Sequence, residues 1–319
     1  MAVYTDVSPD DLTRFVARFD IGDVVTFEGI AQGTENTNYR LQTTAGLYVV
    51  TLYEKRVDPG DLPFFLGLMR HLAEAAFPCP APIPDRQGEI LHDLSGRPAA
   101  VVAFAPGDWP REITAAHCRK VGTTLARLHQ AAADYSVTRR NDQGLSAWRS
   151  AFSGLAAKAD ELHPGLSDWI AEELDALEAH WPNNLPSGLI HGDLFPDNVF
   201  FQDGDVSGVI DFYFACADTL SFDLAICLNA WCFENGGLDR DRAHALSAGY
   251  QSIRRLDPAE QSALPLLARG AALRFLMTRL HDWFYTPENT LARRKDPLEL
   301  VPVIEFHRAV SDSTAYGVG

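Results

Sequence analysis

Two apolar rhythms divide the chain at Pro106-Gly107. Before that dipeptide, β-branched and aromatic residues come in short runs bounded by turn residues. "VVTFEGI", "NYRLQT" and "GLYVVTLYEK" predict three strands, and "GEILHDL" with "RPAAVVAF" predicts a further hairpin. Residues 62–76, "LPFFLGLMRHLAEAA", have helical spacing. Ser8-Pro9-Asp10-Asp11 reads as a helix start, with Ser as N-cap, Pro at the first position and acids at the positive end. That helix is expected to reach about Phe19. The Pro-rich "FPCPAPIPD" breaks the pattern.

Beyond Gly107 the spacing is mostly helical. Cys118, Val121, Leu125 and Leu128 share one face, as do Leu166, Ile170, Leu174, Leu177 and Trp181. Further helices are expected at about 221–234, 239–254 and 258–284, and the small, polar tail after Val310 is expected to fray. One stretch departs from this rhythm. "VFF", Gln202-Asp203-Gly204-Asp205 and "VSGVID" read as a tight hairpin turned at Asp-Gly. These patterns predict an α+β fold in two lobes: residues 1–105, a small antiparallel sheet with an inserted helix, and residues 106–319, mostly helical.

Composition narrows the function. The formal net charge is −16 and no Lys/Arg run exceeds Arg293-Arg294-Lys295, which argues against nucleic acid or an anionic membrane as partner. A polyanionic substrate must then be held by metal ions, backbone amides and a few cations. Five cysteines without a Cys-x-x-Cys pair fit a reducing, cytoplasmic setting. No secretory signal or spanning segment is visible, and no protein partner is implied.

Chemistry concentrates in "LIHGDLFPDNVFFQDGDVSGVIDF", residues 189–212. The hairpin should return the chain so that Asn198 and Asp211 lie side by side, with Asp193 on a loop that Pro196 keeps out of helix. On the protein-kinase pattern that this stretch resembles, set out below, phosphoryl transfer needs a carboxylate to accept a hydroxyl proton, assigned to Asp193. It also needs hard oxygen ligands for Mg²⁺, assigned to Asn198 and Asp211. Taken singly, each is an ordinary loop or strand-end residue; the joint spacing is what points to a site. His191 is assigned to bracing the loop.

His191-Gly192-Asp193-x-x-x-x-Asn198 followed by Asp211-Phe212-Tyr213 resembles the protein-kinase pattern H-R-D-x-x-x-x-N and D-F-G, with Gly for Arg and Tyr for the last Gly. It is similar to the aminoglycoside phosphotransferase and choline kinase group, which has the protein-kinase-like fold. The likeness covers nearly the whole chain, including an "LARLH"-type helix (Leu125 to His129) and Asp223-Leu224-Ala225. It implies ATP and Mg²⁺ as cofactors and a supporting role for Asp223 behind the loop; a helix N-cap near Ser221 is the competing reading. "TENTNYRL", "YVVTLYEKR", "IDFYFACADTLSFDLAICLNAWCF" and "GAALRFLMTRLHDW" resemble the homoserine kinases of this group. Those bacterial enzymes phosphorylate the side-chain hydroxyl of L-homoserine on the route to threonine.

One departure stands out. Thr51 occupies the position where kinases carry a strand Lys. Lys55 lies on the same strand face about 13 Å further along, and either reaches a phosphate or is a solvated strand end. The turn "GTENTNY" is a candidate phosphate cover through the backbone N–H groups of Gly33, Thr34, Asn36, Thr37 and Asn38, although such turns are usually only turns. Val102 and Phe104 in "AAVVAFAPG" are candidates for adenine contact.

For a zwitterionic acceptor, Arg279 and Asp282 either bind its two ends or pair with each other, and Arg274 is a second carboxylate candidate. Asn229 and Trp231 either wall the acceptor pocket or pack in the core. Two other functions stay open: a phosphotransferase for choline, ethanolamine or an aminoglycoside, and a nucleotide-binding pseudokinase.

Overall fold

The computed structural model describes residues 4–30, 36–54, 57–286 and 294–319. Among these the chain forms two compact units. The first takes residues up to Gly107 together with Ser207–Tyr213, and the second takes Asp108–Val206, Phe214–Thr286 and Arg294–Gly319.

The first unit opens with α1 (Pro9–Val16), where Ser8 Oγ accepts from the Asp11 N–H. The helix ends before Phe19, which instead bridges to Asp85 and is buried. Next come β1 (Val24–Gly29), β2 (Thr37–Thr43), β3 (Leu47–Leu52), α2 (Leu62–Glu74), β4 (His92–Leu94) and β5 (Arg97–Ala103). The sheet is antiparallel, in the order β1-β2-β3-β5-β4. Alternation along β2 sends Tyr39 and Leu41 inward. There they join Leu12 and Phe15 of α1, Val50 and Leu52 of β3, and Val101 of β5 in one apolar core. Burying these large side chains is what holds the sheet to the helix, at about 1.5–3 kcal/mol for each.

The second unit contains α3 (Ala115–Ala131), α4 (Leu145–Ser153), α5 (Ala156–Leu162), α6 (Leu166–His180), β6 (Ser187–Ile190), β7 (Val199–Gln202), the start of β8 (Asp205–Val209), β9 (Cys216–Thr219) and α7 (Leu220–Trp231). It continues through the two-residue strands β10 (Phe233–Glu234) and β11 (Gly237–Leu238), then α8 (Arg240–Gln251), α9 (Pro258–Tyr285) and α10 (Val301–Ala309). β7 and β8 form the expected hairpin, with Asp203 at φ 53° and Gly204 at φ 83° in its turn. β6 pairs with β9, Ile190 opposite Cys216. α3 and α8 pack so closely that a Cβ on Gly122 would lie 2.0 Å from the Leu246 carbonyl oxygen. No helix among the described residues is long and apolar enough to cross a membrane.

The C-terminal tail differs from expectation. Ser313–Tyr316 forms a 3-10 turn, and Tyr316 and Val318 are fully buried. His307 ties this turn down. Asn229 Nδ2 donates to the Ala268 carbonyl, so Asn229 Oδ1 is an acceptor for His307 Nε2 at 2.7 Å. The His307 proton therefore sits on Nε2, and Nδ1 accepts from the Tyr316 hydroxyl at 2.7 Å.

Candidate active site

The loop that follows β6 is held by its backbone. Asp223, in the first turn of α7 and fully buried, accepts from the His191 N–H (2.7 Å, Oδ2) and the Gly192 N–H (3.0 Å, Oδ1). The Asp193 N–H donates to His191 Nδ1 at 3.2 Å. On the carbonyl side, Arg274 Nη1 donates to Gly192 O (2.8 Å), Asn198 Nδ2 to Asp193 O (2.8 Å) and Trp231 Nε1 to Leu194 O (2.8 Å). A buried peptide group must find a partner; here α7 and α9, remote in sequence, supply four and the loop's own His191 and Asn198 supply two. Gly192 has a physical reason: φ is +77°, and a Cβ would lie 2.9 Å from the Phe214 carbonyl oxygen. The Arg of the kinase pattern does not fit this turn.

Within this frame Asp193 is half-buried, with Oδ2 3.2 Å from Asn198 Nδ2. Behind it, Asp223 Oδ2 also accepts from His129 Nε2 at 3.1 Å. A carboxylate only accepts, so His129 Nδ1 faces the Tyr250 hydroxyl as acceptor, at 2.9 Å. Arg254 Nη1 donates to that same hydroxyl. Burial alone would push the Asp223 carboxyl up. The hydrogen bonds from His129 Nε2 and the His191 N–H hold it below the ordinary value instead. Asp223 thus binds loop amides, while the helix N-cap position belongs to Thr219.

Asn198 closes the loop from a 3-10 turn, Pro196–Asn198. Its amide NH₂ faces two oxygens of Asp193, which fixes the orientation and leaves Oδ1 as a hard oxygen donor. That suits Mg²⁺ or a similar cation. Asp211, in the first unit, is half-buried at φ 65°, a left-handed conformation that non-glycine residues adopt only when the surroundings hold it. Nearby, the Tyr213 hydroxyl donates to that of Tyr53 (3.2 Å). The Tyr53 phenol is pushed up to about 12, first by burial and also by the Asp211 charge. Among the described residues no cluster of three His, Cys, Asp or Glu side chains could hold a metal by itself.

The nucleotide candidates are placed less favourably for direct contact. Gly33, Thr34 and Lys55 lie outside the described residues. Thr37 is fully buried; its Oγ1 donates to Glu54 Oε1 (2.8 Å) and accepts from the Tyr4 and Thr5 N–H groups. Asn36 is buried and its Oδ1 accepts from the Glu54 N–H. Both side chains therefore brace the hairpin. Thr51 Oγ1 donates to Asn38 Oδ1 at 2.7 Å. Val102 is buried in β5 opposite Val49, and Phe104 is half-buried with the Arg40 guanidinium 5.6 Å from its ring centre.

The acceptor candidates also need correction. Arg279 pairs with Glu299 at 3.1 Å and donates to the Asp296 carbonyl, so its ion pair is not with Asp282. Asp282 lies 3.3 Å from His281 Nδ1. Trp231 is fully buried beneath the loop, which makes it a core residue, and the half-buried Asn229 bridges α9 and α10 through its amide. Arg274 is buried against the loop. It lines a narrow cleft with Asn141, Asp142, Gln143, Ile190, Gly192, Phe214 and Cys216. Sequence reasoning passed over His129 as an individual residue, although it closes the "LARLH" string, and missed Gln143, which has no local signal.

Fold and loop together define the class: a phosphotransferase built on the protein-kinase-like fold. The chain belongs to the phosphotransferase enzyme family (APH), whose sequence model matches residues 26–256. Within it, the chain is 54% identical over 319 residues to homoserine kinases of Sinorhizobium fredii and Rhodospirillum rubrum, covering 100% of this chain and 98% and 99% of theirs. Among solved structures, a spectinomycin phosphotransferase in complex with ADP and spectinomycin superposes with a TM-score of 0.67 at 16% identity, over 98% of both chains. A Plasmodium vivax ethanolamine kinase gives 0.65 at 14% identity, over 88% of this chain and 84% of its own. At such identities these last two establish a shared fold alone.

Proposed function

We propose that the chain is an ATP-dependent homoserine kinase, transferring the γ-phosphoryl group of ATP to the side-chain hydroxyl of L-homoserine. The products are O-phospho-L-homoserine and ADP, on the cytoplasmic route to threonine. The observation that carries this reading is the 54% identity, end to end, with homoserine kinases. The geometry of the loop supports it.

The mechanism assigns Asp193 as the base. Its carboxylate takes the proton of the acceptor hydroxyl as that oxygen bonds to the γ-phosphorus, and the bond to the β–γ bridging oxygen breaks to release ADP. Holding the hydroxyl in line with the phosphorus is most of the catalytic task, which is why a rigid loop serves it. Asn198, bonded to Asp193 Oδ2, limits the rotation of that carboxylate. A divalent cation, Mg²⁺ in this proposal, supplies charge neutralisation to the triphosphate when bound. Asn198 through Oδ1 and Asp211 are the residues that would hold it.

The test is ADP release by the purified protein with Mg-ATP and a panel of L-homoserine, choline, ethanolamine and kanamycin. Homoserine-dependent release, abolished by a chelator, is expected. A response to choline, ethanolamine or kanamycin and none to homoserine would overturn the substrate assignment. Tight ATP binding without release to any acceptor would make the chain a pseudokinase.

A further inference from the structure

We propose that Arg274 is a positioning residue for Asp193: from α9 it pins the Gly192 carbonyl and so fixes the peptide that leads into the catalytic carboxylate. This rests on Asp193 being the base. The Gly192–Asp193 peptide is held at both ends. Its oxygen accepts from Arg274 Nη1 at 2.8 Å, and its N–H donates to His191 Nδ1 at 3.2 Å. Such a clamp answers a specific weakness. The turn needs a glycine, at φ +77° with Phe214 packed against it. Glycine also brings backbone freedom that other residues lack, and a rotated peptide would carry the Asp193 side chain with it.

Arg274 is itself immobilised. Gln143 Oε1 accepts from both Nε (3.3 Å) and Nη2 (3.1 Å), so the planar fork has one orientation. The guanidinium lies 4.6 Å from the Phe275 ring centre and 5.8 Å from that of Phe214. It is 6% exposed. Burial draws its pKa down, and the charge of Asp193 opposes that. A buried cation that did nothing but fill space is replaceable by an apolar side chain of similar volume, often without loss of stability. All three guanidinium nitrogens are already engaged, with Gly192 O and Gln143 Oε1. That favours a clamp over an open binding site for the acceptor carboxylate.

The test uses the full-length protein with Arg274→Met, Arg274→Lys, Arg274→Ala and Gln143→Ala, assayed with Mg-ATP and homoserine. Arg274→Met is expected to lower kcat by about 10²-fold while KM for ATP and for homoserine stays near wild type. Arg274→Lys should fall between, and Gln143→Ala should cost less than either. Guanidinium ion, well below denaturing concentration, should restore part of the kcat of Arg274→Ala, and urea at equal concentration should not. A raised KM for homoserine with kcat retained would make Arg274 an acceptor ligand and overturn the proposal. So would an unchanged kcat, or a loss that follows the thermal midpoint and resists rescue. Amide hydrogen exchange gives a readout that needs no acceptor. Arg274→Met should speed exchange across residues 189–198 and leave α3 unchanged; equal exchange in both proteins would sink the inference even if the acceptor assignment stood. Failure of the wild-type protein to release ADP would count against the function alone.

Discussion

The loop at 191–198 and the β2–β3 hairpin meet the demands of their buried polar groups in different ways. In the hairpin the polar side chains satisfy their neighbours: Thr37 and Asn36 serve Glu54 and the N-terminal backbone, and Thr51 serves Asn38. In the loop, His191 and Asn198 take the Asp193 N–H and carbonyl, and residues from α7 and α9 meet the demand on either side. Asp223, braced by His129, takes the amides, and Arg274 and Trp231 take the carbonyls. The Asp193 side chain stays half-buried, with Asn198 Nδ2 donating to its Oδ2. A polar side chain is available for chemistry where other groups meet the hydrogen-bonding demand of the backbone around it.

The most damaging change should be Asp193→Asn. It keeps shape and removes the base, so kcat should fall by about 10³-fold with ATP affinity and fold intact; near-normal turnover would erase the contrast between the two regions. Asp223→Ala should come next. It leaves two buried loop N–H groups without their acceptor and His129 without its carboxylate. A loss of about 3–5 kcal/mol in chemical denaturation is expected, with turnover lost as well. Because the folded pKa of Asp223 is depressed, its contribution is complete above about pH 4 and is lost as pH falls below that.

A milder effect comes from His307, whose pKa burial pushes down to about 3. The unfolded chain takes up a proton below about pH 6.5 and the folded one does not, so stability is full above that pH and declines toward pH 3. The urea midpoint should reflect a loss of about 2–3 kcal/mol between pH 7 and pH 4.5. His307→Asn should flatten that slope; an equal slope would show that the titrating group is elsewhere. The smallest effect is assigned to the hairpin. Thr37→Val should cost about 1–2 kcal/mol of stability with kcat and KM for ATP retained; a selective rise in KM for ATP would show that the Thr37 hydroxyl itself serves the nucleotide.

Much of the fold was readable because its long elements repeat. β1 to β5, α2, α3, α6 and α9 lie where apolar spacing puts them, and the Asp203-Gly204 turn follows from tolerance of positive φ. The short elements escaped. α4, α5 and α10 have seven to nine residues each, too few for a clear period. The four-residue strands β6 and β9 are defined by each other across intervening chain. The tail looked frayed because its composition is small and polar, yet Tyr316 and Val318 find a buried seat that only tertiary structure creates. Candidate residues followed the same divide. Asp193 and Asn198 were visible through their spacing. The roles of Gln143 and Arg274 were not, since the two lie 131 residues apart and meet only in the fold.

The most direct test of the central claim is ³¹P NMR of the wild-type protein with Mg-ATP and L-homoserine. The account predicts that the γ-phosphate signal is replaced by a phosphate monoester in step with ADP, absent when homoserine is omitted and nearly absent with Asp193→Asn. Inorganic phosphate as the sole product, or monoester formed equally by Asp193→Asn, would contradict it.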